Sequence, residues 1–474
     1  MAHQYDLVII GLGSGGTLAA EFAAGELGLK VAAVERGRIG GDCLWTGCVP
    51  SKSLIASARV AHTVREAHRF GVTTGETTVD LEAVWGRIKT VQAEIAATDD
   101  SPDRFRALGV ELVEGEGRVT GYREVTVSTP SGLLRLATRF ILVCTGSRPA
   151  IPPVPGLAEV EFLTSENIFE LDRPPESLVM IGGGPIASEL AQAMVRLGVG
   201  TTVLEMAHRL VPRDEPELAD RLATILRAEG VELHLATTAS AVRAGGDGVI
   251  VDTADNKFTA AGLVVATGRT ANVESLGLDR FGIPVGAGGV EVDGRNRTLV
   301  PSIYVVGDAA AGRPQFTHSA AYDAVIAVRD MFLPGRGNPA ALVPWCTFTD
   351  PELAHVGLTA AEARERHGNR TVKVHRHELA HNDRARADGH TDGLLMIVTA
   401  KDRIVGAHAL APAAGELIHE LALAIKLGVG IVELSQLVHV YPTIAVGIGR
   451  MAGDRAFEKA RRYRSLAKLS RRLG

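Results

Sequence analysis

The sequence predicts a mixed α/β chain in which one strand, glycine turn, helix, strand unit occurs twice before a differently textured α+β segment. Three observations carry this. Gly11, Gly13 and Gly16 form the pattern G-x-G-x-x-G directly after an apolar strand at Tyr5 to Ile10. Gly182, Gly183 and Gly184 follow a second apolar strand, Leu178 to Ile181, with Ala187 at the third fingerprint position. From about Arg336 onward no such fingerprint recurs. A glycine turn between a strand and a helix lets backbone N–H groups approach a pyrophosphate, so two copies imply two dinucleotides. The fold class is therefore α/β, with two Rossmann-like dinucleotide-binding domains and a C-terminal α+β domain suited to dimerisation.

Taken in order, the first glycine turn opens a helix expected from about Thr17 to Leu27, and the strand Val31 to Val34 ends at Glu35. That acid is placed to accept a ribose hydroxyl. Next comes GGDCLWTGCVPSK, from Gly40 to Lys52, which holds Cys43 and Cys48. The apolar run Leu54, Ile55, Ala58 and Val60 leads out of it, so Cys48 is expected at or near a helix N-terminus. There the helix dipole and unpaired N–H groups depress a thiol's pKa and create a nucleophile. Three readings are open: a redox-active dithiol, a structural disulfide, or half of a metal site. A staple adds little to a chain of this size. Zinc needs a second cysteine or histidine pair at matched spacing, which is missing. The flanking nucleotide units favour the redox dithiol.

A polar helical stretch runs to about Leu108, followed by short alternating segments from Val110 to Val127 and from Leu134 to Val143. Cys144 reads as a buried core residue. Thr145, Gly146, Ser147, Arg148 and Pro149 close this part, and Pro152, Pro153 and Pro155 mark a domain crossing. The second repeat has its helix to about Leu197 and a strand Thr202 to Leu204 ending at Glu205. Glu205 would accept the 2′-hydroxyl of NADH and repel a 2′-phosphate, so NADH is favoured over NADPH, although His208 and Arg209 can receive that phosphate. Leu263 to Thr267 with Gly268 and Arg269 reads as the return crossing. Ser302 to Val306 then delivers Gly307 and Asp308, where an acid can meet a ligand's sugar-alcohol chain. The last segment holds an expected strand over Val343 to Asp350 and an Ala/Leu-rich helix, Ala414 to Leu427, whose apolar face suits self-association.

Composition narrows the class. A chain of 474 residues points to about three domains. Fifty basic against 55 acidic residues leave a charge of −5, which gives no general affinity for nucleic acid or membranes. Neither a signal segment before Tyr5 nor an apolar run of membrane-spanning length is read, so a cytoplasmic protein is expected. A disulfide kept in that reducing compartment is one that turns over.

The ordered motifs resemble the class I pyridine nucleotide-disulfide oxidoreductases, the flavoenzyme family of glutathione reductase, dihydrolipoyl dehydrogenase and mercuric reductase. GGDCLWTGCVPSK is the most specific part of a likeness covering nearly the whole chain. The resemblance implies FAD domain parts at 1–150 and 268–336, an NAD(P) domain at 151–267, and a homodimer-forming domain at 337–474. It places FAD on Gly11, Gly13, Gly16, Glu35, Gly41, Lys52, Thr145, Gly146, Gly307 and Asp308. It places NAD(P)H on Gly182, Gly184, Glu189, Glu205 and Gly268. It makes Cys48 the flavin-proximal thiol and Cys43 the interchange thiol, with Lys52 and Glu189 as an ion pair beside the flavin ring.

One departure bears on the acceptor. Thiol-reducing members carry a histidine before Pro-Thr near the C-terminus and a glutamate four residues after that proline. Here the stretch is VHVYPTIAVG, with Tyr441 at the histidine position and Val446 at the glutamate position. General acid–base catalysis is typically worth about 100-fold to 10,000-fold, and a tyrosine of pKa near about 10 replaces it poorly. His439 lies two residues away and is a second candidate. Mercuric reductases also place a tyrosine here, but the C-terminal cysteine pair they add has no counterpart in SLAKLSRRLG, and their N-terminal metal-capturing domain is absent. The resemblance thus implies an FAD-dependent NAD(P)H oxidoreductase that passes electrons through Cys43 and Cys48 to a small acceptor, such as a soft metal ion like Hg(II) or a quinone. Dihydrolipoyl dehydrogenase is one alternative. Another is a slow redox-responsive FAD- and NADH-binding protein docking through the basic tail, Arg455 to Arg472. No resident metal is read: His375, His377 and His381 are expected on an exposed polar hairpin, and Cys346 beside Trp345 as packing.

Overall fold

The computed structural model describes residues 4–246, 248–334 and 342–464. They form two compact units, one drawn from residues 4–182, 196–200 and 239–334, the other from 183–195, 201–238 and 342–464. The dividing line thus passes through the second glycine turn, between Gly182 and Gly183, whereas the expected domain borders lie at 151, 268 and 337.

In the first unit, β1 (Tyr5–Ile10) is followed by α1 (Ser14–Ala20), a π-helical turn Glu21–Glu26, and β2 (Val31–Glu35). The helix therefore starts three residues earlier than the expected Thr17. Strand β1 lies parallel between β2 and Gly132–Val143; β2 pairs in parallel with Val110–Glu114, and Ile303–Val305 extends the other side. Alternate residues go to opposite faces of a strand. Leu7 and Ile9 join Ala19, Ala20 and Ala23 and, from helix Thr317–Phe332, Ala324, Ala327 and Val328. Val8 and Ile10 join Val119, Val125, Val127 and Leu136 from an antiparallel meander on the other face. Burial on both faces is why β1 reads as an unbroken apolar run. Truncating a fully buried side chain such as Leu7 to alanine costs about 2–5 kcal/mol. All loops leaving the carboxyl ends of these parallel strands gather at one edge, the usual place for a ligand crevice.

From β2 the chain enters α2 (Gly41–Trp45) and then α3 (Cys48–Glu66). Also in this unit, Ser177–Ile181 pairs in parallel with Gly262–Val265, and Ser147–Pro149 pairs antiparallel with Arg269–Ala271.

The second unit holds the helix Pro185–Arg196 through Val195, the parallel pair Gly200–Leu204 with Glu232–His234, and the helix Pro216–Ala228. Its C-terminal part is a five-stranded antiparallel sheet in the order Trp345–Thr347, Glu352–Gly357, Arg403–Ala411, Leu394–Ala400, Val372–Glu378. Ala354, Val356, Ile397, Ala407 and Ala409 pack under Ile418, Leu421 and Ala424 of helix Ala414–Leu427 and under Ile448 and Met451 of helix Val446–Ala460.

Four expectations need correction here. The strand expected over Val343 to Asp350 shrinks to Trp345–Thr347. Beyond it the backbone is held by side chains: Phe348 N–H donates to Glu189 at 2.8 Å and Asp350 N–H to Gln192 at 2.7 Å. The apolar face of Ala414–Leu427 is spent on its own sheet, although Leu423 and Leu427 still point outward. The three histidines do not share an exposed hairpin. His377 is buried on the edge strand Val372–Glu378, its ring packed on Gly447, and His375 meets Thr399 at 3.2 Å. Arg455 is no solvated tail residue either: it is buried and paired with Asp402 and Glu458. Residues 465–472 of that tail lie outside the described residues.

Candidate active site

The first glycine turn is built by close backbone approach. Gly11 has φ +96°, and a Cβ there would stand 2.6 Å from the carbonyl oxygen of Cys144. A side chain on Gly41 would meet the Cα of Gly13 at 2.8 Å, so the dithiol segment lies directly against this turn. No side chain caps α1 at Gly13. Glu35 accepts hydrogen bonds from the N–H of Leu12 at 2.6 Å and Gly37 at 2.8 Å, which fixes the acid at the mouth of the turn. Thr145 and Gly146 are tied to Asn272, and the turn at Gly307 presents Asp308, which accepts from the Ser147 hydroxyl at 2.6 Å. Burial pushes the Asp308 carboxyl above its usual range. These side-chain-free approaches and the uncapped helix fit a bound FAD.

Cys48 is the first residue of α3, as its sequence context implies. Its sulfur lies 3.3 Å from the hydroxyl of Thr317, the first residue of helix Thr317–Phe332. Both cysteines are free thiols here, and the Cys43 thiol donates to Cys48. That bond is the main cause that pulls Cys48 down to about 6, against the cost of burial; Thr317 and the charge of Lys52, four residues on, help, while the charge of Asp42 opposes. Cys43 is pushed up by the same bond and by burial, with the hydroxyls of Thr317 and Ser14 working the other way. The pair thus shares a proton, with Thr317 and Lys52 drawing the negative charge toward Cys48. Cys144 is buried in the core, and its thiol is pushed far up by desolvation.

In the second glycine turn the same device recurs. Gly182 has φ +112°, and Glu205 accepts from the N–H groups of Gly183 and, at 2.6 Å, Ala207. A Cβ at Gly184 or Gly268 would meet nothing within 4 Å, which leaves both positions open to a ligand. Glu189 is buried rather than an exposed helix acid, with one oxygen bound to the N–H of Phe348.

The two acid–base candidates separate. Tyr441 is 65% exposed, and its hydroxyl donates to Asp383 at 3.1 Å, which raises its pKa further. The His439 side chain is 8% exposed, with Nε2 3.1 Å from Glu420 and the ring seated against Gly449. Both ring nitrogens therefore face protein, with a carboxylate partner on Nε2, whereas Tyr441 lies open to solvent. Sequence reasoning missed Ser14 and Thr317, and read Ser147 and Arg269 only as parts of the domain crossings. Ser14 stands inside the glycine fingerprint, but nothing local marks Thr317. Among the described residues no cluster of three or more His, Cys, Asp or Glu is placed to hold a metal ion, and no helix is long and apolar enough to cross a membrane.

A glycine turn lying against a dithiol, and a second glycine turn further along the chain, are the parts of an electron-transfer enzyme that joins a nicotinamide, a flavin and a disulfide. The chain belongs to the pyridine nucleotide-disulphide oxidoreductases: that family's model matches residues 5–324, and the model of its dimerisation domain matches residues 343–452. It is 32% identical to the dihydrolipoyl dehydrogenase of Bacillus subtilis (strain 168), covering 95% of this chain and 98% of that one. It is 35% identical to a mercuric reductase of Streptomyces lividans, covering 94% and 95%. A solved structure, the Cu(II) complex of the HOCl-induced flavoprotein disulfide reductase RclA from Escherichia coli, superposes with a TM-score of 0.82 at 26% identity over 96% of this chain and 99% of that one. The protein is thus an FAD-dependent pyridine nucleotide-disulfide oxidoreductase, and its dimerisation domain supports a homodimer.

Proposed function

We propose that the chain carries electrons from NADH to a thiophilic metal ion through the Cys43 and Cys48 pair. The observation that carries this reading is a dithiol at a helix start without an imidazole at position 441: the Cys48 sulfur opens α3 and lies 3.3 Å from the Thr317 hydroxyl, while Tyr441 bonds to Asp383. FAD, held by the first glycine turn, Lys52, Thr145, Gly146, Gly307 and Asp308, supplies two-electron transfer between nicotinamide and disulfide. Opening the disulfide with one hydride equivalent yields one thiolate and one thiol, and the pull of Thr317 and Lys52 on Cys48 supports the thiolate there and the proton on Cys43. Loss of the Cys43 proton then offers two thiolates, the ligand set that soft metals prefer. The mercuric reductase relative and the Cu(II) complex of RclA support this acceptor class.

Glu205 supports NADH over NADPH, with Gly182, Gly184, Glu189 and Gly268 completing the nicotinamide coenzyme's half. We assign FAD to residues 1–150 and 268–336, NAD(P)H to 151–267 and the subunit interface to 337–474. The Lys52 and Glu189 pairing is carried over from the family. Steady-state oxidation of NADH and of NADPH with Hg(II), Cu(II), quinones and lipoamide tests the proposal. Metal-dependent turnover lost in Cys43→Ser and Cys48→Ser is the expected result; turnover that survives both changes refutes the dithiol route. Dihydrolipoyl dehydrogenase is the second reading, favoured by the Bacillus relative, and fast oxidation of dihydrolipoamide would establish it.

A further inference from the structure

Asp42 stands between Gly41 and Cys43, inside the dithiol segment, and the proposed route gives it no task. Its carboxylate meets the Thr46 hydroxyl and lies 2.9 Å from Nη2 of Arg269. Arg269 is anchored on its inner side: Nε donates to the Ser147 hydroxyl at 2.7 Å, Nη2 to the Ser147 carbonyl at 3.1 Å, and Nε lies 3.6 Å from Asp308. The ion pair is therefore oriented. The Arg269 side chain is 12% exposed and that of Asp42 44%, so the positive end is buried against a second carboxylate and the negative end is the more open to solvent, its charge acting on Cys48 of the dithiol. Lys52, the cation whose charge acts on Cys48, sits a turn into α3.

We propose that the Asp42 and Arg269 pair sets the charge of the acceptor, presenting a carboxylate at the dithiol segment that favours cationic acceptors and disfavours anionic ones. This rests on the dithiol reading above and makes Asp42 a specificity-determining residue, with Arg269 positioning it. A unit charge several ångströms from the reacting sulfur changes the approach of a charged reagent by roughly threefold to tenfold at moderate salt, and by much less near about 1 M.

The test uses the reduced, FAD-loaded protein and two thiol reagents of equal chemistry, anionic iodoacetate and neutral iodoacetamide. Each forms a sulfur–carbon bond at a thiolate and releases iodide, and peptide mass mapping reports the rate at the dithiol, Cys43 and Cys48 being read separately. In Asp42→Asn the iodoacetate to iodoacetamide rate ratio is expected to rise roughly threefold to tenfold, with the difference shrinking near about 1 M salt. In Arg269→Gln, where the carboxylate loses its counter-charge, the ratio is expected to fall; if that variant fails to keep FAD, Arg269→Lys retains the charge and should keep the wild-type ratio. An Asp42→Asn ratio equal to wild type at low salt overturns the proposal. Since the ratio is read with no acceptor present, a shifted ratio without metal turnover refutes the metal reading alone. Metal turnover with an unshifted ratio refutes the charge assignment alone.

Discussion

Cys48 owes its thiolate to a few atoms, and removing one of them is measurable. A hydrogen bond to a charged group is worth about 1.5–3 kcal/mol, and one pH unit corresponds to about 1.4 kcal/mol. Thr317→Val should therefore move the midpoint of Cys48 thiolate formation up from about 6 by roughly one to two units, read from the pH dependence of alkylation in the reduced enzyme. Gly11→Ala places a methyl 2.6 Å from the Cys144 carbonyl oxygen at φ +96°, so the purified variant should lose its flavin absorbance near 450 nm. Legibility at this scale follows sequence distance. Cys48 at a helix start was readable because the helix that follows it is local. Thr317 is 269 residues away, and only the packing of α1 against helix Thr317–Phe332 brings its hydroxyl to the sulfur.

Within single elements, the helix Val446–Ala460 offers an internal contrast. A Cβ on Gly447 would stand 2.5 Å from the His377 ring, whereas one on Gly453 would meet nothing within 4 Å. Gly447→Ala should destabilise by about 1–3 kcal/mol, and Gly453→Ala should stabilise by about 0.5–1 kcal/mol, both read from urea unfolding. The neighbouring sheet carries a cross-strand stack in which Trp345 lies 3.6 Å over His355, which meets His408 edge-on at 4.7 Å. Burial pulls these histidines down to about 4 and about 3. The unfolded chain then binds more protons than the folded one below about 6.5, so stability is full above that pH and falls on acidification towards 4. Each group contributes a slope of up to about 1.4 kcal/mol per pH unit, which urea midpoints at pH 7 and 5 will reveal; equal midpoints would contradict neutral burial. Helix Ala414–Leu427 was legible because its apolar period is regular. The strand after Val343 was not, because side chains of another helix, Glu189 and Gln192, take over its backbone partners beyond Thr347.

At the scale of the whole molecule, the dimerisation domain exposes Leu423, Leu427, Leu437, Val438, Val440 and Phe457. Leu423→Asp combined with Val438→Asp should convert the dimer to a monomer in light scattering, since charges placed in an apolar interface leave unpaired ions. The order of strand, turn and helix in the two nucleotide halves was readable because each is local, while their bounds were not, and the placement of Tyr441 and His439 depended on partners, Asp383 and Glu420, that no motif marks. The halves also share the arrangement by which Glu35 and Glu205 grip the amides of their own glycine turns. An acid so employed is a structural bolt for its own turn. Trimming Glu205 to make room for a 2′-phosphate would loosen the loop around it, so any engineered change of coenzyme preference has to supply replacement acceptors for those amides before it adds a cation for the phosphate.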